Sequence, residues 1–73
     1  MTEKYGPVSF RVRLVNQAEN KFWEIEVRGK QHLTKFGKLG SAGQVRLTEI
    51  GSATACRTDA DKRAQQKRKE GYQ

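Results

Sequence analysis

Alternating apolar and polar residues predict four strands before Ile50. Residues 9–15 alternate as a half-buried strand requires, and residues 23–28 repeat the pattern after the polar turn formers of 16–20. Gly29-Lys30 is short enough for a tight hairpin into a third strand over 31–39. The small residues of 40–43 then lead to a fourth strand around Val45 and Leu47. Because each connection is short, we expect an antiparallel meander.

Beyond Ile50 the composition favours a helix over roughly Ser52 to Glu70, because Ala, Gln, Lys and Arg dominate and no Gly or Pro intervenes until Gly71. Ser52 fits the N-cap, although Thr58 with Asp61 three residues later also fits a capping box, so a later start or a break stays open. A stripe of small side chains follows the helical spacing and lets the helix lie close to the sheet: Ala53, Cys56, Ala60 and Ala64. Gly71 suits the position after the helix, and Tyr72 is a possible final anchor.

These elements predict an α+β fold, an antiparallel four-stranded meander sheet with one C-terminal helix packed on one face. A chain of 73 residues has room for one apolar core, so we expect a single domain over 1–73 with its core at about 8–72.

The third strand offers two interpretations of its central aromatic residue. If Leu33 faces the core, Phe36 points to solvent beside Lys38, and the outward positions of neighbouring strands supply Arg28 and Arg46. An exposed ring among cations suits stacking on a base or sugar with contacts to phosphate. Alternatively, Gly37 marks a bulge that turns Phe36 inward. The residues alone favour the second interpretation, since most phenylalanines are buried.

Charge points to a polyanionic partner. Fifteen Lys and Arg face eight Asp and Glu, a net charge of +7, which concentrates polyanions such as nucleic acid around the molecule, although it also simply favours solubility. The basic residues of the helix have the same two interpretations, a second electrostatic footprint or a solvated face: Arg57, Lys62, Arg63, Lys67, Arg68 and Lys69.

The residues that enzymes and metal sites need are scarce. One His and one Cys, in different elements, do not make a zinc site. Cys56 lies on the small-residue stripe and is expected to be buried and inert, which argues against a nucleophile–base pair with His32. The glycines at 37, 40 and 43 lack the sequence of a phosphate-binding loop. We therefore expect no enzymatic activity, no cofactor and no small-molecule substrate. A lone cysteine and no apolar leader predict a cytoplasmic protein. We also expect a monomer that does not associate with membranes.

Four segments, in this order, resemble the WGR domain family over about 20–72: Lys21-Phe22-Trp23-Glu24-Ile25, Lys35-Phe36-Gly37-Lys38-Leu39-Gly40, Gly43-Gln44 and Lys67-Arg68-Lys69-Glu70-Gly71-Tyr72. The Trp-Gly-Arg triplet of the family is matched by Phe36-Gly37-Lys38, which keeps an aromatic residue and a cation. The chain is similar to the small stand-alone bacterial members, and its helix carries Asp59 and Arg63 where larger apolar residues are expected.

The resemblance implies a function as well as a fold. In DNA-dependent poly(ADP-ribose) polymerases the WGR domain binds near a strand break, where the Trp packs on the terminal nucleotide's sugar and basic residues hold phosphates. By resemblance Phe36 is the stacking group and Lys38 the cation. The expected nucleic-acid site also includes other residues near them: Lys35, Gly37, Arg46 and Arg28.

Two functions follow as hypotheses. The first is a nucleic-acid-binding module, for DNA rather than RNA and for ends or nicks. The second is a protein-interaction domain that docks an acidic partner through the same basic sheet face.

Overall fold

Four strands and one helix make up residues 8–73, the part of the chain that the computed structural model describes. The elements are β1 (Val8–Asn16), β2 (Lys21–Arg28), β3 (Gln31–Lys38), β4 (Gln44–Glu49) and α1 (Ala53–Lys69). All neighbouring strands pair antiparallel, in the order β1-β2-β3-β4. The predicted meander with one C-terminal helix is confirmed.

The core lies between one face of the sheet and α1. Alternate residues of β1 and β2 point toward the helix, as the pleat dictates, and meet three small residues of α1. The buried apolar side chains of this cluster are Leu14, Trp23, Ile25, Val27, Cys56, Ala60 and Ala64. Of the predicted helical stripe only Ala53, in the first turn, is exposed. Because the stripe contains only small side chains, most of the apolar volume comes from the sheet.

Both ends of α1 are fixed by local hydrogen bonds. At the start, the backbone N–H of Ala55 donates to Ser52 Oγ at 3.1 Å, so Ser52 is the N-cap and the helix continues through Thr58. At the end, Gly71 has a φ of 101°, which reverses the chain and packs Tyr72 against the core. The turn is completed by Gln73, which exchanges two backbone hydrogen bonds with Val15, at 2.7 and 2.8 Å.

The phase expected for β3 from Leu33 is wrong. In the β2–β3 register Trp23 lies opposite Phe36, and Val27 lies opposite His32, so the helix-facing residues of β3 are His32, Thr34 and Phe36. Leu33 lies on the other face. Phe36 does turn inward, as the alternative interpretation held, but no bulge is involved, because the register runs from Lys21 to Arg28 without a shift.

Close contact between β3 and the β3–β4 connection accounts for Gly37. A Cβ on Gly37 would lie 2.9 Å from Gly43 Cα, and a Cβ on Gly43 would lie 2.7 Å from Phe22 Cζ and 2.6 Å from the carbonyl oxygen of Phe36. The connection thus folds over Phe22, which is buried on the face opposite α1 with the Arg13 guanidinium 4.7 Å above its ring. Gly43 therefore packs against both the Phe22 ring and the backbone of Phe36.

Candidate nucleic-acid interface

The helix covers only part of the sheet, and its flanking residues show which part. On one flank the Arg57 guanidinium lies 4.1 Å from the ring centre of Phe10 in β1. On the other flank Asp59 is bonded to His32 in β3. Because α1 extends from β1 to β3 and no further across the sheet, it does not cover the helix-side residues of β4. Arg46 is accordingly exposed. The result is a cleft between α1 and the β3–β4 half of the sheet.

This cleft has a volume of about 590 Å³ and combines an aromatic floor with basic walls. The rings come from Trp23, Phe36 and Tyr72, with Phe22 at the margin. The cationic side chains that line it come from three strands and the helix: Lys21, Lys38, Arg46, Arg63 and Lys67. Glu19 is the carboxylate among the lining residues. Its size, aromatic floor and basic walls suit an aromatic ring that is linked to an anion.

Phe36 is the ring that this floor presents to a ligand. Trp23 is only 4% exposed, so it supports the floor and offers little surface of its own. Phe36 is half-buried: it packs against the core cluster and also lines the cleft. A ring supported from behind and open in front stays in place for stacking and loses little entropy when a ligand binds.

Two cations beside this ring have no acidic partner within residues 8–73. Lys38 lies two residues after Phe36 on the same face of β3, and Arg46 lies opposite Thr34 in β4. No ion pair in the described part of the chain includes either of them. Their charge is available to an anion that enters the cleft.

The remaining cations of the cleft are held by neighbours. Lys21 contacts Glu19 at 3.1 Å, and this hydrogen bond raises the pKa of Lys21. Lys67 lies 3.4 Å from Glu70 and 5.4 Å from the ring centre of Tyr72. These contacts fix the directions of two long side chains at the rim.

Arg63 belongs to a three-residue chain of polar contacts that the sequence did not reveal. Its Nε donates to Asp59 Oδ2 at 2.7 Å, and His32 Nε2 lies 2.9 Å from the same oxygen. The Arg63 hydrogen bond, followed by that from His32, holds the pKa of the Asp59 carboxyl below its usual range, against the opposing effect of burial. The available signals were the spacing of Asp59 and Arg63, four residues apart, and their place where apolar residues were expected.

The structure divides the six predicted site residues between the two faces of the sheet. Phe36, Lys38 and Arg46 meet in the cleft, with Gly37 at its edge. Lys35 and Arg28 lie on the opposite face, and Arg28 Nη2 is 3.1 Å from Glu26. Lys35 and Arg28 are thus separated from the other four residues. Lys35 alternates with Phe36 and lies on the opposite face in either phase of β3, whereas Arg28 is separated because the phase of β3 is the reverse of the one expected from Leu33. From the basic helical tract, the cleft includes Arg63 and Lys67.

Other chemistry has little support in the described region. Residues 8–73 contain no group of three potential metal ligands, and no helix among them is long and apolar enough to cross a membrane. Cys56 is fully buried, and burial raises the pKa of its thiol, so the thiolate needed for nucleophilic chemistry is disfavoured.

Comparisons with known proteins place this architecture in a class of binding modules. The WGR domain family model matches residues 8–73, and the chain belongs to that family, whose domains are modules of the nucleic-acid-binding type. The fold is similar to the crystal structure of a Bacteroides fragilis protein determined by structural genomics, with 35% sequence identity and a TM-score of 0.82. That similarity covers 86% of this chain but 18% of the other, so the chain spans less than a fifth of that protein. None of the curated proteins matches the chain.

Proposed function

We propose that residues 8–73 form one non-catalytic domain that binds DNA at strand ends or nicks through the basic cleft. The observation that carries this proposal is the position of Phe36, a supported ring in the cleft next to two cations without acidic partners in residues 8–73, Lys38 and Arg46. Such a ring stacks on a base or sugar, and the cations take the adjoining phosphates.

The shape of the cleft favours an end over continuous duplex. Phe36 lies between the helix and β4, so a nucleotide must enter the cleft to reach its ring. Within a continuous duplex each base is stacked on both sides, and exposing a base there costs a few kcal/mol, roughly. A terminal nucleotide has one free stacking side, and a nick allows the two flanking segments to bend apart.

The residue types of the triplet set the expected strength of binding. Phe36 has a smaller face than the Trp typical of the family, and Lys38 is a point charge without the planar fork of Arg. We expect contacts of the same kind as in the family with weaker affinity, so the salt dependence is more informative than a single dissociation constant.

The test is fluorescence anisotropy with labelled duplexes that carry a 5′-phosphorylated nick, an open blunt end or hairpin-closed ends, at low and near-physiological salt. The wild-type domain should prefer the nick or open end, and Phe36→Ala should remove that preference. A substitution that removes one phosphate-binding cation should lower the slope of log affinity against log salt by about 0.9.

Two lysines of β3 provide a matched control. Lys38 faces the cleft and Lys35 faces the other way, both are exposed, and neither has an ion pair within the described residues. Lys38→Gln should lower the slope, whereas Lys35→Gln should leave it near the wild-type value. Equal effects of the two substitutions, together with equal binding of all duplexes, would mean nonspecific attraction, and an acidic protein partner would then become the better hypothesis.

A further inference from the structure

A buried histidine and an aspartate hold one arginine on the helical wall of the cleft. His32 is only 1% exposed, and its Nε2 lies 2.9 Å from Asp59 Oδ2. A carboxylate accepts hydrogen bonds, so Nε2 is the donor in this contact. The same carboxylate oxygen accepts from Arg63 Nε at 2.7 Å. The position of Arg63 is therefore tied, through Asp59, to the floor of the sheet.

The part of Arg63 that remains open has the geometry of a phosphate site. A guanidinium has five N–H donors, and donation from Nε to Asp59 leaves the edge formed by Nη1 and Nη2. Arg63 lines the cleft and its side chain is 53% exposed, so this edge is accessible from solvent. Two parallel N–H donors bind two oxygens of one phosphate.

Arg63 also lies across the cleft from the cations of the sheet. Lys38 and Arg46 are on the strand side of Phe36, whereas Arg63 and Lys67 are on the helix side. Charges on both walls attract the two phosphates that flank one nucleotide, whereas charges on one wall attract a single backbone segment. The arrangement suits a strand that runs through the cleft.

We propose that Arg63 binds a backbone phosphate of the nucleic acid and that Asp59 and His32 act as its positioning residues. This inference rests on the proposed function and adds a second binding wall to it. The competing explanation is that the three residues only fasten α1 to β3.

The two explanations predict opposite changes in nucleic-acid affinity for Asp59→Asn. This substitution removes a negative charge near the cleft, so general electrostatics makes a polyanion bind more tightly. If Asp59 positions Arg63, the neutral amide holds the guanidinium less firmly, so binding must immobilise a more mobile side chain, and affinity falls about two- to tenfold. Asp61→Asn is the matched control, because it makes the same charge change on the exposed side of α1. It should bind slightly more tightly than the wild type.

The experiment measures anisotropy with the 5′-phosphorylated nicked duplex over a range of salt for Arg63→Gln, Asp59→Asn and their double variant. Arg63→Gln should lower the log-log salt slope by about 0.9, and Arg68→Gln, an exposed cation outside the cleft, should not. Asp59→Asn should weaken binding only when Arg63 is present. His32→Gln keeps an N–H donor and should bind better than His32→Leu, while thermal unfolding identifies any variant that has lost its fold.

Tighter binding by Asp59→Asn, or equal slopes for Arg63→Gln and Arg68→Gln, would overturn the inference. The outcome for the proposed function is read separately. If Phe36→Ala and Lys38→Gln weaken binding while Arg63→Gln does not, the cleft binds nucleic acid without the second wall. If none of these variants changes binding, both proposals fail.

Discussion

The two faces of the sheet carry similar numbers of cations but differ in what neutralises them. On the face opposite α1, Arg11 and Arg13 reach the two carboxylate oxygens of Glu24 at 3.0 and 3.2 Å, and Arg28 contacts Glu26. On the helix side, Lys38 and Arg46 have no acidic partner among residues 8–73. Apart from Lys35, the cations of β1–β3 on the face opposite α1 are therefore paired, whereas the two cations beside Phe36 are not paired within the described residues.

The reason for this asymmetry lies in β2, the strand at the centre of the pairing. On the face opposite α1, this strand carries Glu24 and Glu26, which lie across from the arginines of β1. Its helix-side positions are Trp23, Ile25 and Val27, because α1 needs an apolar surface to pack on. Apolar residues cannot neutralise the cations of β3 and β4. The requirement for a core thus leaves Lys38 and Arg46 without a carboxylate on β2, although the other cations of the cleft pair with residues outside that strand.

The largest effect we expect is on stability and concerns the packing difference between the faces. Ile25→Ala removes a fully buried side chain under α1 and should lower the free energy of unfolding by about 2–5 kcal/mol. Leu47→Ala acts on a side chain of the face opposite α1 that is already 43% exposed and should cost about 1 kcal/mol or less. Urea unfolding followed by circular dichroism gives both values. Similar losses of unfolding free energy for the two variants would show that the face opposite α1 also contributes to a packed core.

A smaller effect should appear at the loop where the two faces meet. Gly43→Ala and Gly40→Ala both place a side chain at positive φ, which costs about 1–2 kcal/mol. The new Cβ at 40 meets open space, whereas that at 43 meets Phe22 and the carbonyl of Phe36. Gly43→Ala should therefore cost about 1–3 kcal/mol more than Gly40→Ala in the same unfolding assay. It should also weaken DNA binding, since the clash displaces Phe36, and equal losses for the two variants would contradict this contact.

The order of the elements was predictable from sequence because it depends on short-range patterns. Alternation identified the strands, and Ser52 and Gly71 marked the two ends of the helix region. The family resemblance also brought Phe36 and Lys38 forward as site residues, and both line the cleft. Each of these signals comes from residues close to one another in the chain.

The phase of β3 was not predictable in this way. Leu33 and Phe36 are three residues apart, so their side chains point to opposite faces of the sheet and only one of them can face the helix. Alternation alone cannot determine which one does. The choice depends on His32, a polar residue that can be buried because Asp59, 27 positions later, accepts its hydrogen bond. Such a contact between distant elements leaves no local signal. Because the phase was wrong, Arg28 was grouped with Phe36. Lys35, next to Phe36 in the chain, lies on the opposite face in either phase, and Arg63 was left among the residues of the basic tract.

The smallest expected effect tests whether ion pairing keeps the arginines on the face opposite α1 from attracting DNA. Glu24→Gln removes the ionised partner of Arg13 and one of the two partners of Arg11, which keeps Glu26 at 3.5 Å. The variant should bind every duplex more tightly, with a salt slope that is steeper by about 0.9 for each phosphate newly contacted. The ratio of nicked to hairpin-closed binding should fall, because the arginines attract phosphate without offering a ring. Anisotropy over a salt series measures both quantities.

Glu49→Gln is the control for this substitution, since it makes the same charge change at an exposed end of β4 where no ion pair exists within the described residues. If both variants change the slope equally, only total charge matters, and the comparison of the faces fails. If Glu24→Gln alone steepens the slope while the Phe36-dependent preference for the nick persists, the domain has two distinct surfaces. One is then an array of ion pairs, and the other is a cleft in which the aromatic floor adds specificity to the attraction between its cations and DNA.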